Sequence, residues 1–137
     1  MQIAKRNDWK TEPMPSTYTN ITLEKVYSQE EFDRIAAGVI PEQMEDKWFI
    51  FYDTPWLYLH RSWTGFCIFK VRFEVVAESV KIAEVQVNRD PEQYSNTYDD
   101  RDASMLGILL DSRSKRNVRS QMLGWIKGQS SNLEKSS

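Results

Sequence analysis

The chain predicts an α+β fold: an antiparallel meander of about four strands over residues 47–88, packed with an N-terminal helix and two C-terminal helices. Two observations carry this. From Lys47 the hydrophobic period is two, in a stretch rich in β-branched and aromatic residues that DTP, SWTG and AES interrupt as turns. On either side of that stretch the spacing becomes helical, so helices and sheet are segregated along the chain.

Residues 11–20 (TEPMPSTYTN) carry two prolines among small polar residues, and residues 1–20 read as an extended arm. Ser28 and Glu31 have capping-box spacing, with Phe32, Ile35, Ala36 and Val39 at helical intervals behind them. The expected helix runs over about 29–38 and is stopped by Gly38 and Pro41. Beyond the meander and Pro91, Met105, Ile108 and Leu109 mark a second helix, and Val118, Met122, Trp125 and Ile126 stand at i, i+4, i+7 and i+8 on a third. A single domain over 21–127 results, and the tail 128–137 (GQSSNLEKSS) has nothing to bury and reads as frayed.

Turn chemistry sets the expected register. Ser62-Trp63-Thr64-Gly65 suits a three-residue turn with a left-handed glycine, which places Arg61 opposite Cys67, His60 opposite Ile68, Leu59 opposite Phe69 and Trp56 opposite Arg72. A three-residue loop Asp53-Thr54-Pro55 would set Phe51 opposite Leu57 and Phe49 opposite Leu59. One face then holds Phe49, Phe51, Leu57, Leu59, Cys67, Phe69, Val71, Phe73 and Val75, which is a core. The other collects Trp48, Ile50, Tyr52, Trp56, Tyr58, His60, Ile68, Lys70 and Arg72. A solvated face would favour Thr, Lys, Glu and Ser, so this one must meet something. Either a terminal helix or the arm covers it, or it is a platform whose rings stack on a ligand while Lys70 and Arg72 attract its anionic group.

Charge and composition narrow the function classes. Eighteen Lys and Arg against 20 Asp and Glu give a net charge of −2 over 137 residues, which disfavours a globally basic nucleic-acid binder. One cysteine and one histidine leave no disulfide framework and no multi-Cys/His zinc cluster; no metal or other cofactor is implied. MQIAKRNDWK lacks the apolar core of a signal peptide, and no run approaches the roughly 18 apolar residues of a membrane span, so the expected address is cytoplasmic.

The densest candidate run is His60 to Gly65. His60 could act as a general base and Cys67 as a nucleophile, but the expected register points them to opposite faces, which favours a buried structural thiol and a packed sheet histidine. Arg61 can pin a carbonyl or carboxylate, Ser62 and Thr64 suit any tight turn, and Trp63 either folds back over the sheet or is offered to a partner. Asp99, Asp100 and Asp102 lack calcium-loop spacing and favour a helix N-terminus instead. Arg113, Lys115, Arg116 and Arg119 form a basic run that fits a helix C-terminus as well as a phosphate patch. No glycine-rich phosphate loop, nucleophile elbow or HExxH is present.

EDKWFIFYDTPWLYLHRSWTGFCIFKV, residues 45–71, resembles a poorly characterised group of small bacterial proteins that share a tryptophan-rich hairpin ending in an HRSWTG-type turn; NRDPEQY (Asn88 to Tyr94) extends the resemblance. It implies a nucleotide- or ADP-ribose-related role and importance for residues 60–65, and it brings no catalytic residues with it. The leading expectation is a binding or interaction module using Trp56, Tyr58, His60, Arg61, Trp63, Lys70 and Arg72 toward a nucleotide-like anion or a protein partner. Two alternatives stand beside it: a hydrolase or transferase acting on a nucleotide or ADP-ribose conjugate through His60 and Arg61, and an immunity-type protein that neutralises a partner.

Overall fold

A computed structural model describes residues 3–115. Its strands are β1 (Tyr18–Ile21), β2 (Val26–Ser28), β3 (Trp48–Asp53), β4 (Trp56–Arg61), β5 (Cys67–Val76) and β6 (Ser79–Asn88). Its helices are α1 (Gln29–Ala36) and α2 (Asp99–Ser114), with one 3-10 turn at Arg6–Asp8. All six strands form one antiparallel sheet in the order β1-β6-β5-β4-β3, with β2 also paired to β6. The class is therefore α+β, as expected, and β3 to β6 are the expected meander. The two additional strands come from segments with no strand signal of their own. β1 begins at Tyr18, inside the expected arm, and β1 and β2 lie end to end along the edge of β6 that β5 leaves free.

Helix α1 starts where its capping box requires. Ser28 Oγ accepts the Glu31 amide at 3.1 Å, and Glu31 Oε1 accepts the Ser28 amide at 2.8 Å. It ends because Gly38 adopts φ +75°, and a Cβ there would lie 2.1 Å from the Ile50 carbonyl oxygen. That close approach lets Val39 bridge Ile50 through two hydrogen bonds of 2.8 and 3.0 Å, which covers part of the exposed edge of β3. In α2, Leu106 and Leu110 are the buried large apolar side chains and Met105 and Leu109 are half-buried, whereas Ile108, expected to mark the buried stripe, is exposed. The third expected helix (Val118, Met122, Trp125, Ile126), Arg116, Arg119 and the tail lie outside the described residues.

Both helices pack on one face of the sheet. Phe32 and Ile35 of α1 and Leu106 and Leu110 of α2 meet Ile50, Leu57, Leu59, Phe69, Val71, Val85 and Val87 in the main core. The other face carries a smaller cluster in which Ala4 of the arm seals Phe49 and Phe51, with Trp9, Ile40 and Tyr58 packed around them.

The register corrects one expectation and part of another. β3 and β4 turn through two residues, Thr54 and Pro55, so Asp53 pairs with Trp56 and Phe51 with Tyr58. Relative to the three-residue loop this is a shift of one residue, and a shift of one exchanges the faces of the whole strand. Trp48, Ile50 and Tyr52 therefore join the helix-side core, and Phe49 and Phe51 go to the arm side. Between β4 and β5 the expected pairs hold from Trp56↔Arg72 to Leu59↔Phe69; a bulge then leaves Ile68 as the extra residue and sets Cys67 opposite His60. Ile68 is buried in the helix-side core, and Cys67 does not share the Leu57/Leu59 face. A second bulge lies between Arg72 and Phe73, beyond which Val75, expected in the core, is 70% exposed.

Candidate binding face and the HRSWTG turn

The arm divides the second sheet face into a sealed part and an open part. Arm residues dock through the amide of Ala4 on Ala37 O (2.8 Å), the indole N–H of Trp9 on Ser62 O (2.7 Å) and the amide of Glu12 on Gly65 O (2.8 Å). Beneath them, Phe51 stacks against Tyr58 at 4.8 Å and against His60 at 5.6 Å, while Trp9 meets Phe49 at 6.4 Å. Part of the predicted aromatic surface is thus satisfied by the chain itself.

The open part carries Trp56, Tyr58, Lys70 and Arg72, all half-buried. Three cations meet there. The Arg6 guanidinium lies 4.7 Å from both the Phe51 and the Tyr58 centroids, and Lys70 Nζ lies 4.5 Å from Trp56 and 5.3 Å from Tyr58. Arg72, two residues along β5 from Lys70, contacts Glu84 at 3.4 Å. Glu84 also accepts from Gln86 and Asn20, each at 3.2 Å, and these hydrogen bonds, Gln86's first, hold its carboxyl below the usual range. Arg6 contacts the exposed Asp53 at 3.3 Å. Lys70 takes part in no ion pair among the described residues.

Each residue of the HRSWTG turn has local work. His60 is 1% exposed; because Gly65 O can only accept, Nδ1 carries the proton of their 2.8 Å bond, leaving Nε2 as a buried acceptor without a partner. Burial holds the His60 pKa below its ordinary value, with Arg6 adding to the effect and the Gly65 bond opposing it. Arg61 points to the helix side, where its guanidinium lies 4.4 Å from the Trp48 centroid. Ser62 Oγ donates to Asp46 O at 2.6 Å, and Thr64 Oγ1 accepts from the Phe66 amide at 3.2 Å. Gly65 adopts φ +82° and lies against the arm, where a Cβ would be 3.1 Å from Lys10 O. Trp63 is 66% exposed, and its indole N–H donates to Met44 O at 3.0 Å.

The two residues considered as an acid/base pair, His60 and Arg61, therefore occupy opposite faces of β4. His60 and Cys67 are the pair brought together, by the bulge rather than by the expected register. Cys67 is fully buried, and burial pushes its thiol up to about 12, which leaves it protonated near neutral pH.

A second polar constellation, of which the sequence indicates only the acidic helix start, joins β6 to α2. Asp102 is fully buried; it accepts from Tyr94 Oη at 2.5 Å and Asn96 Nδ2 at 2.8 Å, and Arg89 Nη2 lies 2.5 Å from its other oxygen. Arg89 also pairs with Asp99 at 2.7 Å, and although burial works against its charge, these carboxylates raise its pKa. Asn88 bonds both Cys67 O and Gln93 Oε1 at 2.9 Å. NRDPEQY is thus a staple in which every polar side chain but Glu92 has a named bond within the segment or to its neighbours. Asp99, Asp100 and Asp102 all fall in the first turn of α2, and Arg113 falls in its last. Sequence reasoning missed Arg6 and Trp9, whose signal is a cation and a ring spaced three apart in the arm.

Comparison with known proteins finds no matching family model, no similar curated protein and no similar solved structure.

Proposed function

We propose that the protein is a binding module that holds a planar, anionic ligand of nucleotide type on the open part of the second sheet face. The observation that carries this reading is the convergence of Arg6 and Lys70 on the Tyr58 ring, at 4.7 and 5.3 Å, with Arg72 next to Lys70 along β5. Cations resting on rings in a partly dry setting remain available to an incoming anion, and a phosphate between them replaces weak cation–π contacts with charge-assisted hydrogen bonds. Trp56, on the Lys70 side, offers a flat surface for the ligand's planar part. Asp53 and Glu84 compete for two of the three cations from the rim, so Lys70 is the principal anchor.

A thermal-shift titration tests this with a nucleoside diphosphate and the corresponding uncharged nucleoside. The diphosphate raises Tm progressively with concentration, because a ligand present at 100 times its Kd stabilises by about 2.7 kcal/mol. Lys70→Ala and Arg72→Ala, with far-UV circular dichroism unchanged, lose that response. Absence of any shift at millimolar diphosphate refutes the reading.

A further inference from the structure

Between the C-terminal half of α2 and the start of β3 lies an open groove of about 590 Å³, with Val39, Ile40, Trp48 and Leu109 among its apolar walls. Val39, Trp48 and Leu109 pack on the main core from within and are half-buried, so the core reaches its surface here. The charged wall is net acidic. Glu42, Glu45 and Asp46 stand against Lys47 and Arg113, and none of the five forms an ion pair among the described residues. Asp46 accepts the Glu42 amide at 3.0 Å, while Glu42 and Glu45 are exposed.

The path of the chain selects the occupant. Ser112 and Arg113 of α2 line the groove, Arg34 Nε donates to Ser114 O at 2.6 Å, and Lys115 turns to extended backbone. The chain thus leaves α2 from the groove's own wall, at a point that α1 holds. The sequence that follows, RNVRSQMLGWIK over residues 116–127, carries Arg116, Arg119 and Lys127 and no carboxylate. Its Val118, Met122, Trp125 and Ile126 have the spacing of one apolar stripe. Val118 is three residues past Lys115, a span of at most about 11 Å. A segment tethered this closely acts at an effective concentration of about millimolar, so a modest apolar and electrostatic match suffices.

We infer that residues 116–127 dock in this groove, with the Val118, Met122, Trp125 and Ile126 stripe on Val39, Trp48 and Leu109 and the cations toward Glu42 and Glu45. The basic run at the end of α2 then serves the fold itself rather than a phosphate. This docking is independent of the anion site, and either can fail without the other.

Trypsin digestion of the full chain, followed by mass spectrometry, tests this, because cleavage of a rapidly exchanging segment tracks its undocked fraction. Cleavage after Arg116 and Arg119 is at least about tenfold slower in the parent than in Met122→Ser/Trp125→Ser, equivalent to about 1.4 kcal/mol of docking. Glu42→Gln with Glu45→Gln, remote in sequence and exposed, speeds the same cleavages while far-UV circular dichroism is unchanged. In NMR spectra of the parent, Trp125 ring protons show nuclear Overhauser contacts to Val39 or Leu109 methyls. Three results overturn the inference: cleavage rates unchanged in either double variant, no contact from Trp125 to those methyls, or protection that rises with protein concentration, which places the segment in the groove of a second copy.

Discussion

His60→Phe at the centre of the second face measures what a neutral, incompletely bonded histidine costs this fold. Phenylalanine retains a ring to stack on Phe51 and removes two things: the 2.8 Å bond from Nδ1 to Gly65 O and a buried Nε2 with no partner. The lost bond costs about 1 kcal/mol, while relief of the unpaired nitrogen returns about 1–3 kcal/mol, and Gly65 O still accepts the Glu12 amide. At pH 7.5 the variant is therefore as stable as the parent or more stable. The pH dependence is the sharper measurement, since His60 is the chain's one histidine. Its folded pKa lies below the ordinary 6.5, so the unfolded chain takes up a proton on acidification that the folded chain refuses. Stability is fully present above about 6.5 and falls as pH drops toward the folded value. Between pH 7 and 5.5 the loss reaches up to about 1.2 kcal/mol, the limit for a folded site that stays neutral throughout. Urea unfolding followed by tryptophan fluorescence at both pH values, for parent and variant, isolates this contribution because the carboxylates are common to the two. Parallel losses in the two proteins, or a parent whose stability does not fall over this interval, would refute a buried neutral His60.

Other substitutions probe the elements that position the two surfaces. Gly38→Ala meets both a positive φ and an oxygen 2.1 Å from the new Cβ, so it destabilises by more than the about 1–2 kcal/mol of left-handed strain alone, whereas Gly65→Ala, with its nearest atom at 3.1 Å, stays near that value; denaturant midpoints rank them. Asp102→Asn leaves Arg89 without its buried counter-ion and costs about 3 kcal/mol, read from the same unfolding curves, with Asp99 retaining part of the interaction. Cys67 gives no reaction with a disulfide reagent at pH 8 in the native protein and one equivalent in denaturant, because its thiol is both inaccessible and raised to about 12.

The alternation within β3 does not determine which of its faces meets the helices, and the same ambiguity extends to the second face of the sheet. In Trp48-Phe49-Ile50-Phe51-Tyr52 every side chain is large and apolar or aromatic, so burial cannot choose which alternate set faces the helices. Only turn length could decide, and Asp53-Thr54-Pro55 is compatible with a loop of two residues or of three. β4 was legible because Leu57 and Leu59 alternate with Tyr58 and His60, a contrast that fixes the faces whatever the turn. The bulge at Ile68 carries no glycine or proline to announce it, and it alone changed the relation of Cys67 to His60. The capping box of α1 was legible because both its bonds are local. The arm is the reverse case: Arg6 and Trp9 act through partners 40 or more residues away in Phe49, Phe51, Tyr58 and Ser62, and no local pattern reports that. A strand apolar on both sides requires two covers, and here the helices supply one and the arm from Ala4 to Glu12 the other. The aromatic excess of the meander thus follows largely from being buried twice, and the part left over, Trp56 with Tyr58 under Lys70, is small enough to be a ligand site.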